Sequence, residues 1–452
     1  MTGLKVDMKT RFLNLAALCM LIPAMLLAQP AQKKTIVGVW EVRIALAGQS
    51  ESPFLSLAMY GSDGSFTTGV GYKALPPIPV VQEVANELGP GYGRWAATGA
   101  KEIQLTFYST TWKAGLANGF QRVQDTLVLS ESGDEYTGHA QVDFLDENWN
   151  VVFSNTTEVK GTRLETPAVL IAQQAEKKQL VGIWEVKVSP VGQSQSPLLS
   201  LATYGADGSF TTAGGYKALP PIPAVQDVAN ELGPGYGRWA ATGARDFRLT
   251  FYSVMWKAGL VNGYQRVLDT LVLSESGNEY TGHAQVDFLD ANWNVVFSTT
   301  SDVKATRLET PISAMLVARP GEKKDLVGIW AVKIMPHGVE RRVPHIDAFN
   351  ADGSFSYDTD RRLPSGILLG SGRGRWVATG AREFQLKFYT VTSNKEGVAS
   401  GLQRVQSTFT LSEAGDEFTG RSEWEFLDAN WTVVFRGFTD FIGTRLEIPD
   451  RD

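Results

Sequence analysis

The sequence predicts an all-β chain of three tandem eight-stranded up-and-down antiparallel β-barrels. Three observations predict it. One block of landmarks recurs three times along the 452 residues. Within each block apolar and polar residues alternate at period two, the strand period. Asp-Gly and related turn signals cut the alternating runs into short pieces.

The repeat is the strongest of these signals. Val37-Gly38-Val39-Trp40 returns as Val181-Gly182-Ile183-Trp184 and as Val327-Gly328-Ile329-Trp330. Gly93-Arg94-Trp95 returns as Gly237-Arg238-Trp239 and Gly374-Arg375-Trp376. Thr162-Arg163-Leu164 returns as Thr306-Arg307-Leu308 and Thr444-Arg445-Leu446. A unit this long is a domain, not a solenoid repeat. The expected division is residues 32–166, 180–310 and 326–452 for the three barrels, with linkers at 167–179 and 311–325. The third unit lacks the Pro-rich segment that the first carries at Leu75 to Leu88 and the second at Pro220 to Leu232. Each linker holds an apolar stretch, Ala168 to Ala172 and Met315 to Ala318, which is expected to dock on a neighbouring domain rather than swing free.

Residues 1–31 follow the plan of a secretory signal peptide. Lys5, Lys9 and Arg11 form a basic head, Phe12 to Leu27 an apolar run, and small residues follow at Ala28 to Ala31. The expected destination is secreted or periplasmic. No other stretch is apolar enough over a bilayer's length to span it. Cys19, the only cysteine, falls inside this segment, so the mature chain carries no disulfide and no thiolate metal ligand. The formal net charge of −6 offers no electrostatic attraction to nucleic acid or an anionic membrane.

Within the first unit, eight strands are expected at roughly 37–46, 53–61, 65–72, 92–98, 101–111, 120–130, 135–145 and 151–164. Trp40, Val42 and Ile44 share a face opposite Glu41 and Arg43. Asp63-Gly64, Asp207-Gly208 and Asp352-Gly353 read as hairpin turns, because Asp-Gly tolerates positive φ. Ile103, Leu105 and Phe107 alternate with polar residues, as do Tyr136, Ala140, Val142 and Phe144. Gly133-Asp134 and Asp146 to Asn150 mark two later turns. One short helix is expected at Val80 to Leu88, and its counterpart in unit two. Eight sequential hairpin-linked strands, each with one apolar face, close most simply into a barrel, which removes the sheet edges. A two-sheet sandwich is the alternative.

Gly-x-Trp on the first strand and an Arg on the last resemble the lipocalin (calycin) pattern. The resemblance implies a lipocalin-like barrel in which the Trp closes one end and the Arg packs across it. Carried over, the pairs are Trp40 with Arg163, Trp184 with Arg307, and Trp330 with Arg445. A guanidinium over an indole is a favourable contact. The alternative is that they are ordinary core and surface residues. The absence of disulfides and the triple repeat depart from typical secreted members, and bacterial lipocalin-like domains of unknown role fit better.

Catalytic and metal chemistry is sparse. His139 and His283 fall on the outer face and are matched by Arg421 in unit three, so they read as solvated strand residues. His337 and His345 belong to unit three alone. Acids flanking one hairpin, such as Asp143 and Asp146, read as turn formers rather than calcium ligands. No nucleophile elbow, phosphate loop or dinucleotide fingerprint occurs. Gln121-Arg122-Val123 recurs at Gln265 and Gln403; its Arg either faces the interior or forms an outer cross-strand ion pair, the plainer reading. No catalytic residue, metal or cofactor is therefore expected.

An eight-stranded barrel is just wide enough to be filled by its own side chains or to hold one small ligand. The expected ligand is a small apolar molecule. Its candidate lining is Phe107, Tyr136, Phe144 and Phe153 in unit one, Phe251, Tyr280 and Phe288 in unit two, and Phe388, Phe418 and Trp424 in unit three. The Pro-rich segment would act as a lid. The other readings are a structural module that gains avidity or packs as a pseudo-trimer, and a barrel-type cyclase or isomerase. The last ranks lowest because no inward polar constellation stands out.

Overall fold

The computed structural model describes residues 35–46, 54–69, 85, 87–113, 116–164, 180–190, 198–213, 229, 231–257, 260–308, 326–336, 343–357, 367–394, 399–428 and 430–446. The expected signal segment, both expected linkers and most of the Pro-rich segments lie outside them. Twenty-four strands close into three antiparallel barrels of eight.

Barrel one comprises β1 (Gly38–Leu46), β2 (Phe54–Tyr60), β3 (Ser65–Thr68), β4 (Glu87–Ala97), β5 (Glu102–Lys113), β6 (Leu116–Leu129), β7 (Glu135–Asp146) and β8 (Val151–Arg163). Barrel two comprises β9 (Gly182–Pro190), β10 (Leu198–Tyr204), β11 (Ser209–Thr212), β12 (Glu231–Ala241), β13 (Asp246–Lys257), β14 (Leu260–Leu273), β15 (Glu279–Asp290) and β16 (Val295–Arg307). Barrel three comprises β17 (Gly328–Pro336), β18 (Val343–Phe349), β19 (Ser354–Tyr357), β20 (Leu368–Ala378), β21 (Glu383–Ser393), β22 (Ala399–Leu411), β23 (Glu417–Asp428) and β24 (Val433–Arg445). Each first strand pairs with both the second and the eighth, as in Trp40 opposite Ala58 and Arg163, so the sheet has no free edge and the sandwich is excluded.

Two expectations need correction. No helix occurs among the described residues. Residues 80–84 and 86 lie outside them, but Glu87 and Leu88 pair with Trp112 and Thr111 and open β4. The fourth strand thus begins five residues earlier than expected. The chain passes through Gly89-Pro90-Gly91 by a register shift between Leu88 and Gly91. A bulge tolerates the missing proline N–H. The sixth strand also starts early, at Leu116, because a second shift at Thr111 and Trp112 carries the hairpin on to its tip.

The landmarks hold the barrel ends. The Arg163 guanidinium sits 4.3 Å from the Trp40 ring centroid, Arg307 4.2 Å from Trp184, and Arg445 4.4 Å from Trp330. Arg163 Nη1 also donates to the Val37 carbonyl at 2.8 Å and Nε to the Gly133 carbonyl at 3.0 Å, tying the chain entry to a distant turn. The glycine of Gly-x-Trp is needed for this approach. Gly38 has φ 142°, and a Cβ there would meet Arg163 Nη1 at 2.8 Å. The Gly-Arg-Trp landmark clamps the Asp-Gly turn: Arg94 Nη2 donates to the Asp63 carbonyl at 2.9 Å and Trp95 Nε1 to Gly61 at 3.0 Å.

The three barrels pack against one another in a ring. Val39, Leu57 and Met59 of barrel one pack on Tyr236, Tyr252 and Trp256 of barrel two. Ile183 and Leu201 of barrel two meet Tyr389, Val391 and Leu402 of barrel three. Ile329 and Ile346 of barrel three meet Tyr92, Tyr108 and Phe120 of barrel one. The first two strands of each barrel always sit on the middle strands of the next. A heterologous contact that closes after three steps is a pseudo-threefold ring.

Candidate functional site

Strand parity decides what fills each barrel. On β6 the inward residues are Gln121, Val123, Asp125, Leu127 and Leu129, all buried. Arg122 faces outward and binds Asp143 on the next strand at 2.6 Å. Arg266 with Asp287 and Arg404 with Glu425 repeat that cross-strand pair. The recurring Gln-Arg-Val therefore puts its Gln inside and its Arg outside.

Barrel one encloses a cavity of about 100 Å³ and barrel two one of about 110 Å³. A single water needs roughly 10–15 Å³ on this scale, so each cavity admits a small organic molecule. Phe107, Tyr136, Phe144 and Phe153 line the first cavity. Phe251, Tyr280 and Phe288 line the second. Leu88 and Leu232 reach in from the starts of β4 and β12. The proposed lid itself lies outside the described residues, apart from Ala85, Glu87 and Leu88.

The floor of each cavity is polar. In barrel one the Tyr136 ring lies 4.9 Å from Trp40, and the Tyr60 hydroxyl donates to the Tyr136 hydroxyl at 3.2 Å. Tyr204 and Tyr280 share a hydroxyl contact of 2.9 Å in barrel two. Beside each pair stands a buried acid, Asp125 or Asp269, which also lines the cavity. The Oδ1 atoms of both acids are buried without a hydrogen-bond partner. Burial pushes the Asp125 carboxyl up to about 7, against a backbone hydrogen bond from Thr126 that lowers it. Burial likewise raises Asp269 to about 7, opposed by the charge of His283 and by Thr126's counterpart Thr270. Burial also raises both tyrosines of each pair. A neutral acid can donate a hydrogen bond and an ionised one attracts a cation, so the floor offers polar groups beneath apolar walls.

This constellation was not expected. The signal lay in the sequence: Asp125 and Asp269 occupy the apolar parity of an alternating strand, between Val123 and Leu127 and between Val267 and Leu271. An acid among inward positions is the informative exception.

Barrel three departs from the pattern. Phe349, Phe418 and Ser407 stand where barrel one has Tyr60, Tyr136 and Asp125. Tyr357, Trp424 and Phe441 replace the smaller Thr68, Val142 and Val159. Phe388 packs on Phe355 and Tyr357, and Phe418 on Trp330 at 4.7 Å. Trp424 is half-buried between Phe426 and Phe435. His345 and Asp347, both buried, form a 3.1 Å pair where the other barrels carry Ser and Ala. Burial raises the Asp347 carboxyl, and His345 partly offsets this.

The remaining candidates are structural. His139 is exposed, and His283 pairs with Asp302 on the surface at 3.1 Å. Asp146 Oδ1 accepts the backbone N–H groups of Asn148 and Asn150, which makes it a turn former. Among the described residues no His, Asp and Glu cluster could hold a metal ion. Among them no helix is long and apolar enough to cross a membrane. His337 lies outside them.

No family model and no curated protein matches the chain. Among solved structures, a protein with unknown function from the DUF3598 family of Nostoc punctiforme is similar over 91% of this chain and 96% of its own. The identity is 10% and the TM-score 0.12, too low to carry an argument.

Proposed function

We propose that the protein is an exported, lipocalin-like and non-catalytic binding protein. Its first two barrels each hold one small apolar molecule carrying a single hydrogen-bonding head. The observation that carries this reading is the pair of apolar cavities, each ending on a buried acid and two tyrosines. Such a site fits the usual plan of small-molecule pockets, apolar walls with few placed polar groups. Trp40 with Arg163, and its two counterparts, supports the lipocalin-like assignment. Residues 1–31 support export.

The test is titration of the mature full-length chain with an alkyl amine and with the alkane of the same length. The amine should bind at least tenfold more tightly, and the Asp125→Asn, Asp269→Asn double variant should erase that difference. Equal binding of both compounds to the unaltered chain contradicts the reading.

One observation favours a second reading. A buried acid titrating near neutrality beside two hydroxyls is equipped for general acid catalysis, as a barrel-type isomerase would need. Turnover of a bound unsaturated ligand, lost in the same double variant, would select it over simple binding.

A further inference from the structure

The ring creates a second cavity that no single barrel contains. A chamber of about 380 Å³ lies where the three Asp-Gly turns converge, and all three barrels line it. Ser62 Oγ of barrel one donates to Asp207 Oδ2 of barrel two at 3.3 Å across its rim. The wall repeats hydroxyls in threes: Ser65, Ser209 and Ser354, then Thr67, Thr211 and Ser356.

One residue breaks the symmetry. Arg373 lines the chamber at the position that Tyr92 and Tyr236 hold in the other barrels. It is 3% exposed. Its Nη1 donates to the Gly372 carbonyl at 2.9 Å, and its Nε has no hydrogen-bond partner. Among the described residues no carboxylate forms an ion pair with it. Thr67 Oγ1 and Thr203 Oγ1, in the same wall, are also buried without partners. Asp63, Asp207 and Asp352 stand exposed at the turns, and the Oδ1 of each accepts a backbone N–H, from Ser65, Ser209 and Ser354 respectively.

A buried guanidinium without a counter-charge is costly to maintain. Its planar donor fork matches oxyanions. Three-fold rings of hydroxyls match the oxygens of a tetrahedral one. We propose that the axial chamber binds one tetrahedral oxyanion, of the phosphate or sulfate class, against Arg373. The rim carboxylates oppose its entry, so binding is strongest at moderate salt and weakens where rim charge is unscreened. This site is independent of the two barrel cavities.

The experiment is calorimetric titration of the full chain with inorganic phosphate and, separately, sulfate. The account predicts one site per chain, at least tenfold weaker in Arg373→Gln. Arg373→Tyr restores the residue of the other two repeats and serves as a variant that folds, checked by thermal melting; it should lose binding equally. Asp207→Asn should tighten binding severalfold by removing rim charge. Binding unchanged in both Arg373 variants, or no binding by the unaltered chain, overturns the proposal. So does calcium binding at the turns with no uptake of either anion.

Discussion

Asp125 and Asp269 sit where an aliphatic residue would cost nothing, and their burial sets a pH dependence. A carboxyl free in an unfolded chain titrates near 4. In the folded protein each titrates at about 7, raised by burial. The folded state therefore holds these protons more tightly. Their stabilisation is complete below about pH 4 and is lost as pH rises to about 7, by on the order of 4 kcal/mol per site. Asp125→Asn should accordingly raise the urea midpoint at pH 8 and leave it nearly unchanged at pH 4. A shift of the same size at both pH values would show that Asp125 is not protonated by burial. The residue scale is also where the sequence was most uneven as a guide. Trp40 and Arg163 were legible as a pair because the Gly-x-Trp and the last-strand Arg recur in all three units and resemble a known barrel pattern. Asp125 was not, because it has no motif and only its parity marks it.

At the element scale, the turn after the seventh strand does work in the ring. Trp149, Trp293 and Trp431 all adopt positive φ, of 69°, 67° and 65°. A bulky residue in that region is strained unless its surroundings hold it. The preceding Asp caps the turn, and the indole stacks on its own barrel, Trp149 on Phe120 at 4.2 Å and Trp293 on Tyr264 at 4.4 Å. The Trp293 indole N–H then donates to Glu41 of barrel one, and Trp431 Nε1 donates to Glu185 of barrel two at 2.8 Å. At the third seam Ala331 stands in the matching place, and Trp149 packs with the apolar residues there. Trp293→Ala should lower stability by about 2–3 kcal/mol and loosen the first seam, read as faster amide exchange at Leu57 and Met59. Unchanged exchange at those two residues would mean the indole is not part of the joint. The strand expectation of one apolar face also fails here for a physical reason. β5 is buried at eight successive positions, because its outer face meets barrel three. Period two identifies a strand beside water, and a neighbouring domain erases it.

At the scale of the whole molecule, the triple repeat, the barrel closure and the strand count were legible, since repeats and alternation are properties of the chain itself. The ring was legible only as one option among several. It depends on which outer faces complement one another, and that pairing is not written locally. The three repeated units also differ in their interiors. Barrels one and two keep a hollow interior with an acid at its floor. Barrel three carries the larger Tyr357, Trp424 and Phe441 at the matching positions, with Tyr357 and Phe441 in its core, and contributes Arg373 to the axis. The most direct test of this difference is native mass spectrometry of the chain from residue 32 onward, saturated with a decyl amine. The account predicts two bound molecules per chain, falling to one in Asp125→Asn. Three equivalent molecules per chain, or none, would contradict it.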